Sequence, residues 1–442
     1  MSGTTIGLVG FGCLLSMLAI RVHIAMAMFV TGAGIYMVMN HGETSGLLYT
    51  LNNLVYARVS NYDLAVIPLF ILMGQFATHG GLSKALFKAA GTLIGHWRGG
   101  LAMASTAACA AFGAICGSSL ATAATMGQVA LPELRSHGYS GRLATATLAA
   151  SGTLGILIPP SVPLVIYAVL TQESIGKLFV AAVVPGIIAA LGYLLVIALI
   201  VRKDPKAGPA GKKVPFAEMV RAQINIIPVL LVFLVVIVGI YGGWANPTEA
   251  ASIGAAACGV IAVVSGGLRT RGFLDSIYGT AHATGMIFMV LIGADLLNSS
   301  LALSQMPGEL AAWVRDSGMP PLLVLGSILV IYILLGCVMD SLAMILLTIP
   351  IFYPMIMGLD FFGMSPEDKS VWFGILALMV VEIGLVHPPV GMNLYVINKL
   401  AKDVPMKETA LGVMPFLASD FLRIIALVFL PGMCLGLVHF LG

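Results

Sequence analysis

Read from one charged residue to the next, the chain falls into long apolar runs separated by short polar ones. Uncharged runs at 1–20, 22–42, 64–83, 178–201, 222–248, 250–268, 276–294 and 424–442 are each about one bilayer long at 1.5 Å per residue. They predict membrane-crossing helices. Other stretches are too long for one straight crossing. Residues 99–132 are uncharged with Gly117, Ser118 and Ser119 at their middle, and 317–359 hold only Asp340, again near the middle. Small or polar residues halfway along a double-length run predict a re-entrant hairpin, two half-helices whose tip stops inside the membrane. Two further runs, 143–172 and 370–398, are interrupted by Pro159-Pro160 and by Pro388-Pro389. Adjacent prolines remove two backbone donors and break a helix. Broken backbone at membrane depth is tolerated only where protein or a water-filled cavity satisfies it, so both breaks predict a site.

These features occur twice in the same order. Ser118-Ser119-Leu120-Ala121 is echoed by Asp340-Ser341-Leu342-Ala343, Gly155-Ile156-Leu157-Ile158-Pro159-Pro160 by Gly384-Leu385-Val386-His387-Pro388-Pro389, and the hairpin exit Pro132 by Pro354. The expected division is a first repeat over 1–201 (scaffold spans 3–83, hairpin 99–132, broken helix 143–172, span 178–201). A linker at 202–221 follows, then a second repeat over 222–442 (scaffold spans 222–301, hairpin 317–359, broken helix 370–398, last span 411–440).

Composition agrees with this class and excludes a water-soluble fold: 59% of the 442 residues are hydrophobic and 9% charged, with a mean hydropathy of +1.02. Nothing points to nucleic acid. The six cysteines are scattered and form no CxxC pair, so neither a disulfide framework nor a zinc site is expected. The first apolar stretch has no basic n-region or cleavage site and reads as a retained span. Charge placement sets the orientation. The linker carries Arg202, Lys203, Lys206, Lys212, Lys213 and Arg221 against Asp204 and Glu218 and is placed in the cytoplasm. Counting crossings from there puts Arg21, the 84–98 and 133–142 loops, Arg269, Arg271 and the 399–423 segment on the same side. That side receives 18 of the 22 Lys and Arg with seven acidic residues, and the opposite side receives four and ten. The expected fold is an all-α polytopic membrane protein of about ten crossings, both termini outside, with its two repeats inverted. Inverted repeats whose half-helices meet at the midplane are the architecture of secondary transporters.

The chemistry available at the tips suits small ions. Half-helix N-termini offer unpaired N–H groups to a carboxylate, while hydroxyls and unwound carbonyls suit a hard cation such as sodium. Gly117 permits a tight turn, and Ser118, Ser119 and Thr122 supply oxygens opposite Gly155 to Ser161. Asp340 is a mid-membrane carboxylate, which marks a cation ligand or proton carrier or a cap for its own half-helix. Asn393 and Glu382 flank the second break, and His387 reads as a hydrogen-bonded structural residue. Gly95-His96-Trp97-Arg98 reads as an interfacial belt and cytoplasmic anchor.

The runs Gly95-His96-Trp97-Arg98-Gly99-Gly100-Leu101-Ala102, Cys116-Gly117-Ser118-Ser119-Leu120-Ala121-Thr122, Gly155-Ile156-Leu157-Ile158-Pro159-Pro160-Ser161 and Asn246-Pro247-Thr248-Glu249-Ala250-Ala251 resemble the large membrane subunit of TRAP (tripartite ATP-independent periplasmic) transporters over essentially the whole chain. The resemblance implies a bacterial inner-membrane, sodium-driven elevator-type importer. It also implies two partners, a small four-helix membrane subunit and a periplasmic binding protein that delivers a carboxylate. Carried across by motif, one sodium site would use Cys116, Gly117, Ser119, Gly155 and Pro159, and a second Met339, Asp340, Gly384 and Pro388. The substrate would lie among Ser118, Ser119, Thr122, Pro160, Ser161, Asp340, Ser341, Pro389 and Asn393. The family more often has Ser where Cys116 stands, so the backbone carbonyl there is the expected donor.

Two other readings compete. A stand-alone sodium/dicarboxylate symporter of the same architecture would need no delivery protein. An intramembrane hydrolase using Asp340 or Ser119 is disfavoured because no GxSG, GxGD or HExxH pattern surrounds them, and no enzymatic activity is expected. No Walker A pattern occurs in the chain, which argues against an ATP requirement.

Overall fold

The computed structural model describes residues 2–265, 267–337 and 339–441. Met1, Gly266, Val338 and Gly442, which fall within expected segments, lie outside the described residues. Helices α1 (Gly3–Ala19) and α2 (Ile24–Met39) are followed by α3 (Ser45–Val59), a single turn at Asp63–Ala65 and α4 (Val66–His79). The chain bends by 61° between Ser45–Val59 and Asp63–His79. Next comes α5 (Leu82–Ile94), in a segment expected to be a loop. Lys84 and Lys88 occupy one of its faces while Leu82, Leu86, Phe87 and Ala89 are buried on the other. That 3.6-residue pattern is invisible when only charge-free runs are read.

The first hairpin consists of α6 (Gly100–Cys116) and α7 (Ser119–Ser136), and the first broken helix of α8 (Gly141–Leu157) and α9 (Val162–Thr171). The long α10 (Ile175–Lys203) closes the first half. The second half runs α11 (Phe216–Tyr241), α12 (Pro247–Val264), α13 (Thr270–Leu303) and the amphipathic α14 (Met306–Asp316). Then follow a hairpin, α15 (Pro321–Gly336) and α16 (Ser341–Met357), a broken helix, α17 (Pro366–Val386) and α18 (Met392–Leu400), and finally α19 (Met406–Phe429) and α20 (Gly432–Leu441). The expected last span over 411–440 is therefore two helices, interrupted where Pro431 cannot continue the hydrogen-bond ladder. Asn246-Pro247-Thr248-Glu249 acquires a local explanation. Asn246 Oδ1 accepts from the Glu249 amide at 2.8 Å and Glu249 Oε2 from the Asn246 amide at 2.9 Å, a capping box that starts α12.

Among the described residues, seven helical spans are long and apolar enough to cross a membrane, with α8 and α9 together as one of them, and eight if the bent α3–α4 pair is one crossing. Helices α1 and α2, of 17 and 16 residues, fall just short in length. The helices separate into a panel of α1, α2, α4, α11, α12 and α13 and a packed body of α6–α10 and α15–α19, with α5 and α14 touching both. The body's centre is α8 against α17. Every residue from Leu143 to Leu157 and from Lys369 to Val386 is buried, whereas α11 exposes Leu230, Leu231, Leu234 and Val235. The linker is tied to the body. The Gly211 amide donates to Gly95 O at 3.0 Å, Gly99 to Gly208 O at 2.9 Å, and Ser140 to Ala207 O at 3.0 Å, so the glycines around His96-Trp97-Arg98 serve a close backbone approach as well as a turn.

Candidate functional site

Both hairpin tips are built alike. Gly117 adopts φ +63° at the end of α6, and Ser118 caps α7, its Oγ accepting from the Ala121 amide at 3.4 Å. In the second hairpin Asp340 takes that place, Oδ2 accepting from the Leu342 amide at 3.2 Å. Below each tip the hairpin crosses its broken helix at a glycine pair. A Cβ on Gly113 would stand 2.5 Å from Gly155 Cα, and one on Gly384 would stand 2.5 Å from Gly336 Cα. Backbone meets backbone there, which only glycine allows.

A cavity of about 210 Å³ lies between the two tips. Its wall includes Cys116, Gly117 and Ser118 from the first tip, Asp340 and Ser341 from the second, and Val162 and Pro163 from the start of α9. The first turns of α7, α9 and α16 thus converge on one small space and bring three positive dipole ends to it, with amides of α7 and α16 capped by Ser118 and Asp340. Gln75 and Thr78 of α4 and Ala283 and Met286 of α13 complete it from the panel. Among the described residues no lysine or arginine lines the cavity, and Asp340 is the one formal charge.

Beside the first tip, two hydroxyls without partners among the described residues stand close to backbone carbonyls. Thr122 Oγ1 and Ser161 Oγ are buried and have no hydrogen-bond partner. A Cβ on Gly155 would lie 2.4 Å from Thr122 Oγ1 and 2.8 Å from Ser118 O, and one on Gly117 would lie 3.0 Å from Pro160 O. Hydroxyl and carbonyl oxygens crowded round two glycines fit a hard monovalent cation. At the second break Gly391 (φ +52°) leaves space close to the carbonyls of His387 and Leu385. His387 Nδ1 approaches Cys337 Sγ at 3.7 Å, so the second tip and second break also meet. Among the described residues no cluster of three or more His, Cys, Asp or Glu could hold a metal.

Several expected site residues stand elsewhere. Asn393 does not line the cavity. It is fully buried, its Nδ2 donating to Ser119 Oγ at 2.7 Å and to Ala149 O at 3.3 Å, so it fastens α18 to the first hairpin. Ser119, Thr122, Pro160 and Ser161 lie behind the first tip, and Pro389 is exposed. Pro159 borders a separate, apolar cavity between α6, α10 and α11, and Gly384 serves the helix crossing. Glu382, with Thr153, belongs to a buried network that also holds Tyr193, Asp420 and Arg423. Arg423 and Asp420 were expected at the cytoplasmic surface. They lie within α19 at 5% and 0% exposure, because reading from charge to charge must end a span at the first charge it meets. Their i, i+3 spacing of opposite signs between apolar flanks was the available signal. Asp295, expected outside, is likewise mostly buried and pairs with Arg58. For Gln75 and Thr78 nothing in a charge-free run distinguishes them.

The model of the family described as "Tripartite ATP-independent periplasmic transporter, DctM component" matches residues 11–433. The chain belongs to the DctM family. As a DctM-family protein it is a multi-pass membrane transport permease, and its relatives carry the name large permease. It is 34% identical over 383 residues to the C4-dicarboxylate TRAP transporter large permease protein DctM of Pseudomonas aeruginosa, covering 86% of this chain and 87% of that one. It is 32% identical over 376 residues to the sialic acid TRAP transporter large permease protein SiaM of Vibrio cholerae, covering 84% of each. The YdaH transporter of Alcanivorax borkumensis shares the fold of this DctM-family chain, with a TM-score of 0.60 at 16% identity over 88% of this chain and 90% of that one.

Proposed function

We propose that the protein is the large permease subunit of a sodium-driven, binding-protein-dependent importer of a small carboxylate in the bacterial inner membrane. The observation that carries this reading is the convergence of three helix N-termini on a 210 Å³ cavity whose one charge is Asp340. Helix N-termini attract a carboxylate without any basic side chain. The same carboxylate is repelled by Asp340 unless a cation sits between them, and that repulsion couples the two ligands. Relatives named for C4-dicarboxylate and sialic acid transport support an acid as cargo.

On this reading the crossings number ten: the seven long helices, the bent α3–α4 pair, α1 and α2. Both termini face the periplasm, the two halves are inverted repeats, and the body of hairpins and broken helices slides as an elevator against the panel. A small four-helix membrane subunit covers the exposed scaffold, and a periplasmic binding protein delivers the substrate. Two predictions follow from this assignment. In vesicles holding both membrane subunits, uptake of a labelled C4-dicarboxylate or sialic acid should appear only when the cognate binding protein is added outside. Uptake without it identifies a stand-alone symporter instead. Second, Asp340→Asn should raise the sodium concentration for half-maximal uptake roughly tenfold, the scale of one charge-assisted ligand. Asparagine still caps a helix, so α16 and the amount of protein in the membrane should be unchanged. An unaltered sodium dependence would leave Asp340 as a cap alone.

A further inference from the structure

Thr153 stands two residues before Gly155, and Glu382 two residues before Gly384, so the two occupy corresponding positions of the echoed motifs. In the folded protein they meet. Thr153 Oγ1 donates to Glu382 Oε1 at 2.6 Å, joining α8 to α17 about one and a half turns below the two breaks. The contact is held from the other side. Arg423 Nη2 pairs with Glu382 Oε2 at 3.1 Å and with Asp420 Oδ1 at 3.0 Å, and its guanidinium lies 6.0 Å from the centre of the Tyr193 ring. Tyr193 OH in turn donates to Asp420 Oδ2 at 2.9 Å. Glu382 is completely buried and far in sequence from every partner but Asp420 and Arg423. A carboxylate in that position is expensive to desolvate, and nothing in the cavity between the tips requires it.

We infer that Glu382 is a positioning residue for transport: by accepting from Thr153 it fixes α8 against α17, and so sets the distance between the first break, whose following turn lines the cavity, and the second break, which meets the second tip. The inference rests on the proposed site between the tips. It separates from mere stability because of the charge count. Two carboxylates share one guanidinium, so Glu382→Met leaves Arg423 paired with Asp420 and introduces no orphan charge. Thr153 keeps a second acceptor, Ala150 O at 2.7 Å. In Glu382→Gln the amide oxygen can face Arg423 while the NH2 donates to Thr153 Oγ1, whose hydroxyl still donates to Ala150 O, so the α8–α17 contact is kept and this is the conservative variant.

The test uses the permease on a cysteine-free background, with spin labels at the exposed Gln172, at the far end of α9, and Tyr395, within α18. Interlabel distances are read by pulsed EPR, and radioactive sodium binding is measured on the same preparations. Glu382→Met and Thr153→Val should each keep the parent's melting temperature within about 3 °C. Both should broaden the distance distribution and raise half-saturating sodium about tenfold, the equivalent of one buried hydrogen bond. Glu382→Gln should match the parent in both readouts. If Glu382→Met does not accumulate, Thr153→Val, which alters no charge, decides the matter. Parental distances in a normally melting Thr153→Val or Glu382→Met protein overturn the inference. A parent that binds no sodium removes the ion assignment, and the distance measurement still tests the positioning role.

Discussion

Replacing Arg423 by methionine should prevent the protein from accumulating in the membrane, whereas Asp420→Asn should leave its level and melting temperature unchanged or slightly raised. Arg423 is the one cation in reach of Glu382 and Asp420, both fully buried. Removing it strands two like charges in a low-dielectric interior, and breaking a buried pair from one side costs about 3–5 kcal/mol. That is a large fraction of the roughly 5–15 kcal/mol by which folded proteins are stable. Asp420→Asn moves the other way, since the remaining Arg423–Glu382 pair is neutral and the amide can turn its oxygen to Arg423 and donate its NH2 to Tyr193 OH, which has Glu382 Oε1 as another acceptor at 3.5 Å. Quantifying detergent-solubilised protein and its thermal transition checks both arms. Equal behaviour of the two variants would contradict the charge count.

A comparable effect is expected from single methyl groups at the glycine crossings. In Gly113→Ala the new Cβ would sit 2.5 Å from Gly155 Cα, and in Gly384→Ala 2.5 Å from Gly336 Cα and 2.8 Å from its carbonyl carbon. Main-chain atoms cannot rotate away as a side chain would, so the hairpin must shift off its broken helix, at a cost of about 1–3 kcal/mol for the overpacked core. The shift also separates the tip from the break at the site itself. Uptake should fall by at least about tenfold for each additional ångström or so of misplacement, even where the protein still reaches the membrane. By contrast Gly285→Ala, in α13 with nothing near its Cβ, should transport normally. Normal uptake by Gly113→Ala or Gly384→Ala would mean that the crossings do not hold the tips.

Much of this was legible in the sequence because a few residues act locally. Gly117 with Ser118, and Asp340, mark chain reversals by their own backbone and capping preferences. Pro159-Pro160 and Pro388-Pro389 mark breaks because proline cannot donate. The family resemblance rested on motifs whose physical roles are equally local, such as the capping box at Asn246 and the close backbone approaches at Gly95 and Gly99. What escaped depends on distant partners. Asn393 reads as a site residue, but that Ser119, 274 positions away, takes its Nδ2 while its buried Oδ1 is left without a partner among the described residues is visible only in the fold. Gly113 and Gly336 are ordinary glycines in apolar helices until each is found against the glycine of the neighbouring break. Arg423 ends a hydrophobic run in sequence and lies inside a helix bundle in space, since its burial depends on Glu382 arriving from α17 beside Asp420 of its own helix. The amphipathic α5 escaped for a different reason: its lysines were read as the edge of a span when they were one face of a helix.

The central claim is that sodium binding at the tips drives carboxylate uptake, and it can be tested most directly in vesicles carrying both membrane subunits, with the loaded binding protein outside and no ATP. An inward sodium gradient should support uptake of labelled substrate, and replacing sodium by potassium at the same ionic strength should abolish it. Undiminished uptake in potassium, or uptake that follows an imposed pH gradient in the absence of sodium, would contradict the account and make Asp340 a proton carrier.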